Sequence, residues 1–146
     1  MNDATNEAQE LAPTATVTVS AIVVSYNTKS LTLECLRALD DDLTGTPAEV
    51  WVVDNASADG SAAAIRAAFP QVRLVTNPRN AGFGAANNLA MAQARGEFLL
   101  LLNSDAFVKP GAVRALIDYL RSHPRVGAVG PRLLNGDGSL QRSCWP

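Results

Sequence analysis

Soft metal ligands are nearly absent from this sequence, which holds two cysteines, Cys35 and Cys144, and one histidine, His123. They stand far apart and lack metal-ligand spacing, which argues against a zinc site. So few cysteines, together with no signal sequence, fit a reducing cytosol. Long apolar runs are missing as well: nothing approaches the roughly 20 residues that span a bilayer. Composition does leave a peripheral contact with a membrane surface open. Aromatic residues make up 5% and the formal net charge is −2, so there is no basic footprint for nucleic acid. What remains is one ordinary soluble domain, 47% hydrophobic and 18% charged over 146 residues, large enough to bury a core.

Residues 98–102 form an unbroken apolar run, Phe-Leu-Leu-Leu-Leu, closed at once by Asn103, Ser104 and Asp105. A run that short and that apolar predicts a strand buried on both faces inside a parallel sheet. In open α/β sheets the ligand crevice lies just outside the carboxyl ends of the strands. Polar residues there either hold a ligand or simply turn the chain and cap the next helix.

The rest of the chain is read around that strand. Residues 1–16 are polar and aperiodic and read as a disordered leader. Residues 17–25 give a buried first strand, and Leu31, Cys35, Leu36 and Leu39 recur at helical spacing behind Ser30 as N-cap. Cys35 on that stripe reads as a small core residue. Residues 40–47 read as a loop whose acids, Asp40, Asp41 and Asp42, resemble a metal site by residue type but read as solvated acids between a helix end and Gly45-Thr46-Pro47. Residues 50–53 give a second strand ending at Asp54 and Asn55, and 62–69 a short helix stopped by Pro70. Residues 72–76 give a third strand, 77–84 a glycine-bearing loop and 85–94 an alanine-rich helix. A helix starting near Pro110 ends before Pro124, with His123 on its last carbonyls. A fifth strand is expected over 126–129, then a tight turn over 133–140. Strands alternating with helices predict an α/β fold, a doubly wound, mostly parallel sheet with helices on both faces. The end soon after a hairpin suggests a larger protein cut short.

Three strand ends carry polar clusters: Ser25-Tyr26-Asn27, Asp54-Asn55 and Asn103-Ser104-Asp105. A fourth, Arg79-Asn80-Ala81-Gly82-Phe83-Gly84, opens a helix, where glycines permit close backbone approach and the N-terminus favours anions. Together they suit a nucleoside diphosphate. Gly82-Phe83-Gly84-Ala85-Ala86-Asn87 partly matches a dinucleotide fingerprint. It fails at Asn87 and comes too late in the chain for a nicotinamide or flavin dehydrogenase.

These segments also carry a resemblance. Ile22-Val23-Val24-Ser25-Tyr26-Asn27, the stretch from Val52 to Ser61, Asn80 to Asn88 and Leu101-Leu102-Asn103-Ser104-Asp105 resemble, in order, the motifs of family 2 glycosyltransferases. Val129-Gly130-Pro131-Arg132-Leu133-Leu134 and Asp137-Gly138-Ser139-Leu140-Gln141 are most similar to its rhamnosyltransferase-like branch. The resemblance implies the GT-A fold, a Rossmann-like sheet, truncated here after its nucleotide-binding half, so that residues 17–146 bind the nucleotide sugar. It implies inverting transfer from a dTDP- or UDP-linked sugar to a glycan or lipid-linked acceptor in surface polysaccharide synthesis. The expected site is cytoplasmic, compatible with peripheral association at the inner face of a membrane.

The resemblance implies roles as well. Asp54 would accept the N3–H of uracil or thymine, Tyr26 and its neighbours Ser25 and Asn27 would line the base pocket, and Arg79, Asn80 and Gly82 would flank the nucleotide. Asn103 and Ser104 would lie beside the phosphates, and Asp105 would bind Mg²⁺ or Mn²⁺ on the diphosphate, for which one carboxylate is enough. The first acid of the metal element is Asn103 here, as in the rhamnosyltransferase-like branch. Asp59 reads as a helix cap and Asp137 as a turn residue. The general base that inversion needs is expected beyond Pro146. Two other readings are a non-catalytic nucleotide-sugar-binding module or truncated remnant without turnover, and a sugar-nucleotide pyrophosphorylase, which would carry a basic glycine-rich loop where Ser25-Tyr26-Asn27-Thr28 stands.

Overall fold

The structure, a computed structural model, describes residues 16–142. The leader expected over 1–16 thus falls, but for Thr16, outside the described residues, as does Cys144. The first apolar run becomes β1 (Val19–Ser25), buried along its whole length. It is followed by α1 (Lys29–Asp42), β2 (Ala48–Asp54), α2 (Ser61–Ala68), β3 (Arg73–Thr76), α3 (Phe83–Met91), β4 (Phe98–Asn103) and α4 (Ala112–Ser122). The four strands form one parallel sheet in the order β3-β2-β1-β4, so the chain switches direction across the sheet between β1 and β4.

Helices cover both faces, as expected. Alternation along β1 divides it between two apolar layers. Val19, Ala21 and Val23 pack with Cys35, Leu36 and Leu39 of α1, Ile65 of α2, and Val113 and Ile117 of α4. Ile22 and Val24 pack on the other side with Trp51, Val53 and the small Ala86 and Ala90 of α3. Full burial of an aliphatic side chain of this kind contributes about 1.5–3 kcal/mol.

Several boundaries differ from the expectations. β4 is not buried on both faces. It lies at the sheet edge, and α3 sits over β1 and β2, so Leu99 and Leu101 are 45% and 46% exposed. No strand forms over 126–129; Gly127 and Gly130 give that segment little side chain to bury, and it lies largely exposed. Its neighbour does turn back, with Leu134 bridging antiparallel to Leu140. Asp137 holds that turn by accepting the Ser139 hydroxyl and N–H, which keep its carboxyl below the ordinary range. α3 starts and ends earlier than expected. α1 starts at Lys29 after Thr28, so Ser30 is inside the helix and not its cap. α4 starts after Gly111, one residue beyond Pro110. The acids at 40–42 form the last turn of α1, not a loop. Asp42 has a structural task there: its carboxylate accepts the Gly111 and Val113 N–H groups and caps α4. His123 meets the Tyr119 carbonyl, as expected, and stacks on the Tyr119 ring.

The amino-terminal rim of the sheet is pinned by one buried carboxylate. Glu49 accepts the Ser20 hydroxyl at 2.7 Å and the Arg95 N–H at 2.7 Å, and pairs with the Arg95 and Arg73 guanidinium groups at 3.3 and 3.4 Å. Ser20 in turn accepts the Gly96 N–H at 2.8 Å. Gly96 must be glycine: a Cβ there would lie 2.4 Å from the Ser20 nitrogen. Burial alone would push the Glu49 carboxyl up, but these donors hold it at about 2. The folded value lies below the ordinary one, so the stabilisation is present above about pH 4.5 and is lost as pH falls towards 2. Glu49→Gln should therefore lower stability by about 1–2 kcal/mol at pH 7. In urea titrations that gap to the native chain should close on going from pH 4.5 towards pH 2; a gap independent of pH would contradict this role.

Candidate functional site

The carboxyl rim of the sheet gathers the residues expected there. Register sets Ser25 opposite Asp54, and Val24 opposite Asn103. The tips of β2 and β4 therefore flank that of β1, two strand spacings or about 10 Å apart. This is also the point where the strand order reverses, the usual ligand crevice of such sheets. The rim is an open face, with Tyr26, Arg79, Asn80, Gly82, Asn103 and Asp105 exposed. Two clefts of about 290 and 400 Å³ lie at the opposite rim, the first beside Thr46 and Glu49, the second beside Thr18 and Arg95.

Not every expected residue faces outward. Ser25 is fully buried, its hydroxyl 2.9 Å from that of Thr32 and 3.3 Å from that of Thr28. Thr28 reaches the hydroxyl of the nearly buried Ser104 at 3.0 Å. Ser25 and Ser104 thus belong to a hydroxyl chain that ties β1, α1 and the end of β4 together beneath the rim. Asn27 adopts a left-handed φ of 54°; its N–H donates to the Ser57 hydroxyl and its Oδ1 accepts the Ala58 N–H at 2.8 Å. Asp59 extends the same clasp. It accepts the Ser61 N–H, capping α2 as expected, and also the Lys29 N–H at the start of α1. The Ser61 hydroxyl and the Lys29 N–H keep its carboxyl below the ordinary range.

Asp54 is different. It is 4% exposed, its Oδ2 accepts the Ser57 N–H at 3.3 Å, and its Oδ1 is buried with no hydrogen-bond partner. An unpaired buried acceptor costs about 1–3 kcal/mol, and more when charged, so a matching donor from a ligand would recover that cost.

The loop between β3 and α3 hangs from the neighbouring residue, Asn55, whose place at the β2 tip is evident in the sequence but whose role is not. Asn80 accepts from Asn55 at 2.7 Å and from the Gly82 N–H at 2.9 Å. Thr28, Thr32, Ser57 and Asn77 were missed as well; their signal was only that small polar residues crowd the strand ends. Across the rim, the Asn103 carbonyl accepts the Ala106 N–H and, at 3.7 Å, the Cys35 thiol. Burial, and then the charge of Asp105, push that thiol up to about 12, so Cys35 is an inert core residue.

Residues 20–143 match the family model described as Glycosyl transferase family 2. The chain belongs to this family. Within it, the N-acetylglucosaminyl-diphospho-decaprenol L-rhamnosyltransferase of Mycobacterium tuberculosis is 35% identical over 111 residues, covering 68% of this chain and 36% of that protein. Among solved structures, Staphylococcus aureus TarS 1–349 in complex with UDP superposes with a TM-score of 0.66 at 26% identity, over 74% of this chain and 33% of that 1–349 chain. Mannosyltransferase PcManGT from Pyrobaculum calidifontis, in complex with GDP-Man and Mn²⁺, gives 0.64 at 30% identity over 70% and 32%. The chain thus spans about a third of the length of these relatives. The GT-A architecture expected from the family motifs is the one found.

A divalent ion fits the rim only in a particular way. No cluster of three or more His, Cys, Asp or Glu side chains able to hold one occurs among the described residues. The exposed Asp105 offers a single carboxylate, suited to Mg²⁺ or Mn²⁺ that keeps water and phosphate oxygens as its other ligands.

Gly82 sets the backbone that enters α3. Its φ of 80° and ψ of 164° lie in a region essentially reserved for glycine. A Cβ would meet nothing within 4 Å, so conformation and not space demands glycine. Gly82→Ala should lose about 1–3 kcal/mol, read as a lowered urea midpoint with an unchanged slope; a native midpoint would show that this entry geometry is unimportant.

Proposed function

We propose that this chain forms the donor-binding part of an inverting glycosyltransferase that uses a pyrimidine nucleoside diphosphate sugar, dTDP- or UDP-linked. The observation that carries the reading is the partnerless, buried Oδ1 of Asp54 at the carboxyl end of β2. A ring N–H such as N3–H of uracil or thymine would supply the donor that this oxygen lacks. Tyr26 lines the base pocket, and Arg79, Asn80 and Gly82 flank the nucleotide. Asn103 lies beside the diphosphate, while Ser25, Asn27 and Ser104 contribute by fixing the loops around it. A divalent ion held by Asp105 and the diphosphate would offset charge on the departing group. Similarity to the mycobacterial relative favours a rhamnosyl donor and a polyprenyl-diphosphate-linked acceptor. An acceptor of that kind would bring the protein to the inner face of a membrane, which no helix of the described residues is long and apolar enough to cross.

Titrating the chain with UDP, dTDP and GDP, with and without Mg²⁺, tests this reading by thermal shift or calorimetry. Saturation a hundredfold above Kd stabilises by about 2.7 kcal/mol, a shift of a few degrees in Tm. UDP or dTDP should stabilise more than GDP, and Mg²⁺ should add to the effect. Asp105→Ala should remove the Mg²⁺ increment, while Asp54→Ala should erode the preference for pyrimidine. A chain that responds to none of these nucleotides, or to GDP best, would contradict the assignment.

A further inference from the structure

We infer that Asn55 is a positioning residue of the donor site: it touches no ligand, and its amide sets where the 77–82 loop presents Arg79, Asn80 and Gly82. The inference rests on the reading of the rim as a nucleotide site.

Asn55 is 2% exposed, just past the end of β2. Its backbone N–H donates to the Ser25 carbonyl at 2.8 Å, which fixes the residue to β1. Its side chain serves the loop alone. Oδ1 accepts from Asn77 Nδ2 at 2.9 Å and from the Ala81 N–H at 3.0 Å, and Nδ2 donates to Asn80 Oδ1 at 2.7 Å. Those bonds occupy both lone pairs and one of the two donors of the amide. The orientation of both amides is fixed by backbone donors. The Ala81 N–H requires the Asn55 oxygen, and the Gly82 N–H requires the Asn80 oxygen. The group facing Asn80 is therefore the Asn55 NH₂.

Positions 78–82 are exposed and lie in neither strand nor helix. With little apolar surface to bury, such a segment takes its position from its hydrogen bonds. Asn55 makes three of them, and Asn80 relays one to Gly82 at the entrance of α3. Losing the Asn55 amide would free the loop while leaving the sheet intact. A carboxyl group in its place would keep both acceptor bonds and break only the one to Asn80, unless it carries a proton.

Asn55→Ala and Asn55→Asp in the full 146-residue chain test this with two readouts. The first is amide hydrogen exchange at Ala81 and Gly82, which needs no ligand. In Asn55→Ala it should speed by about tenfold, the loss of roughly one net hydrogen bond, while β1 and α1 amides keep native protection. The second is the calorimetric Kd for UDP with Mg²⁺, which should weaken about tenfold in Asn55→Ala. In Asn55→Asp the Kd should be weak at pH 7.5 and return towards the native value, measured at each pH, as the new carboxyl is protonated. A merely structural role would not produce that recovery, and the near-isosteric Asp carries the test if the Ala variant does not fold. Native UDP binding left unchanged by Asn55→Ala, or an Asn55→Asp defect independent of pH, overturns the inference alone. Failure of the native chain to bind either UDP or dTDP overturns the donor-site reading and the inference with it; if dTDP alone binds, the same comparison is made with dTDP.

Discussion

Parallel, unshifted pairing of β1 with a strand on either side is the constraint from which the rim follows. Ser25 stands opposite Asp54 and Val24 opposite Asn103, so three polar strand ends come out at one level. A slip of one residue would send every side chain of a strand to the other face of the sheet. Ile22 and Val24 would then trade layers with Ala21 and Val23, against two apolar packings of different shape. Register is thus secured by the core, and the rim inherits it. The opposite rim adds a second lock, where Glu49 gathers Ser20, Arg73 and Arg95 and where Gly96 lies directly against the β1 backbone.

Above the core, order is maintained by polar contacts. Buried polar groups must be satisfied, and the rim satisfies them by tying one loop to another. Asn27 and Asp59 join the loops after β1 and β2, Thr28 joins Ser25 to Ser104, and Asn55 carries the loop before α3. Each of these groups has its partner within the protein. Asp54 Oδ1 stands apart as a buried acceptor that the chain leaves unmatched. Among the described residues the only other buried side-chain acceptor without a partner is Asn87 Oδ1, on α3, so Asp54 Oδ1 is the one that stands at a strand end, with the exposed Asp105 across the rim.

Much of the fold was legible in the sequence because apolar periodicity and burial speak the same language. The runs at 19–24, 50–53 and 98–102 became strands, and of the expected stripe Cys35, Leu36 and Leu39 became the buried face of α1, with Thr32 beside them, while Leu31 is exposed. What escaped was set by partners distant in the chain. Four consecutive leucines at 99–102 look like an interior strand, yet exposure of Leu99 and Leu101 depends on where α3 lies. The acids at 40–42 looked like a solvated loop because their use, capping α4 from 69 and 71 residues away, cannot be seen locally. At the rim, the sequence places these polar residues at the strand ends but hides which of them are buried and which face outward. Ser25 and Ser104 look like any exposed polar tip until their hydroxyls are found facing one another through Thr28.

The central claim is that the three strand ends act as one surface for a nucleoside diphosphate. Backbone amide chemical-shift mapping of the labelled chain on adding UDP and Mg²⁺ tests it most directly. Amides at Tyr26, at Asp54 and Asn55, at Ala81 and Gly82, and at Ser104 and Asp105 should move together along a single binding curve, with those around Glu49 and Arg95 unmoved. Shifts confined to one strand end, or centred on the opposite rim, would contradict the account.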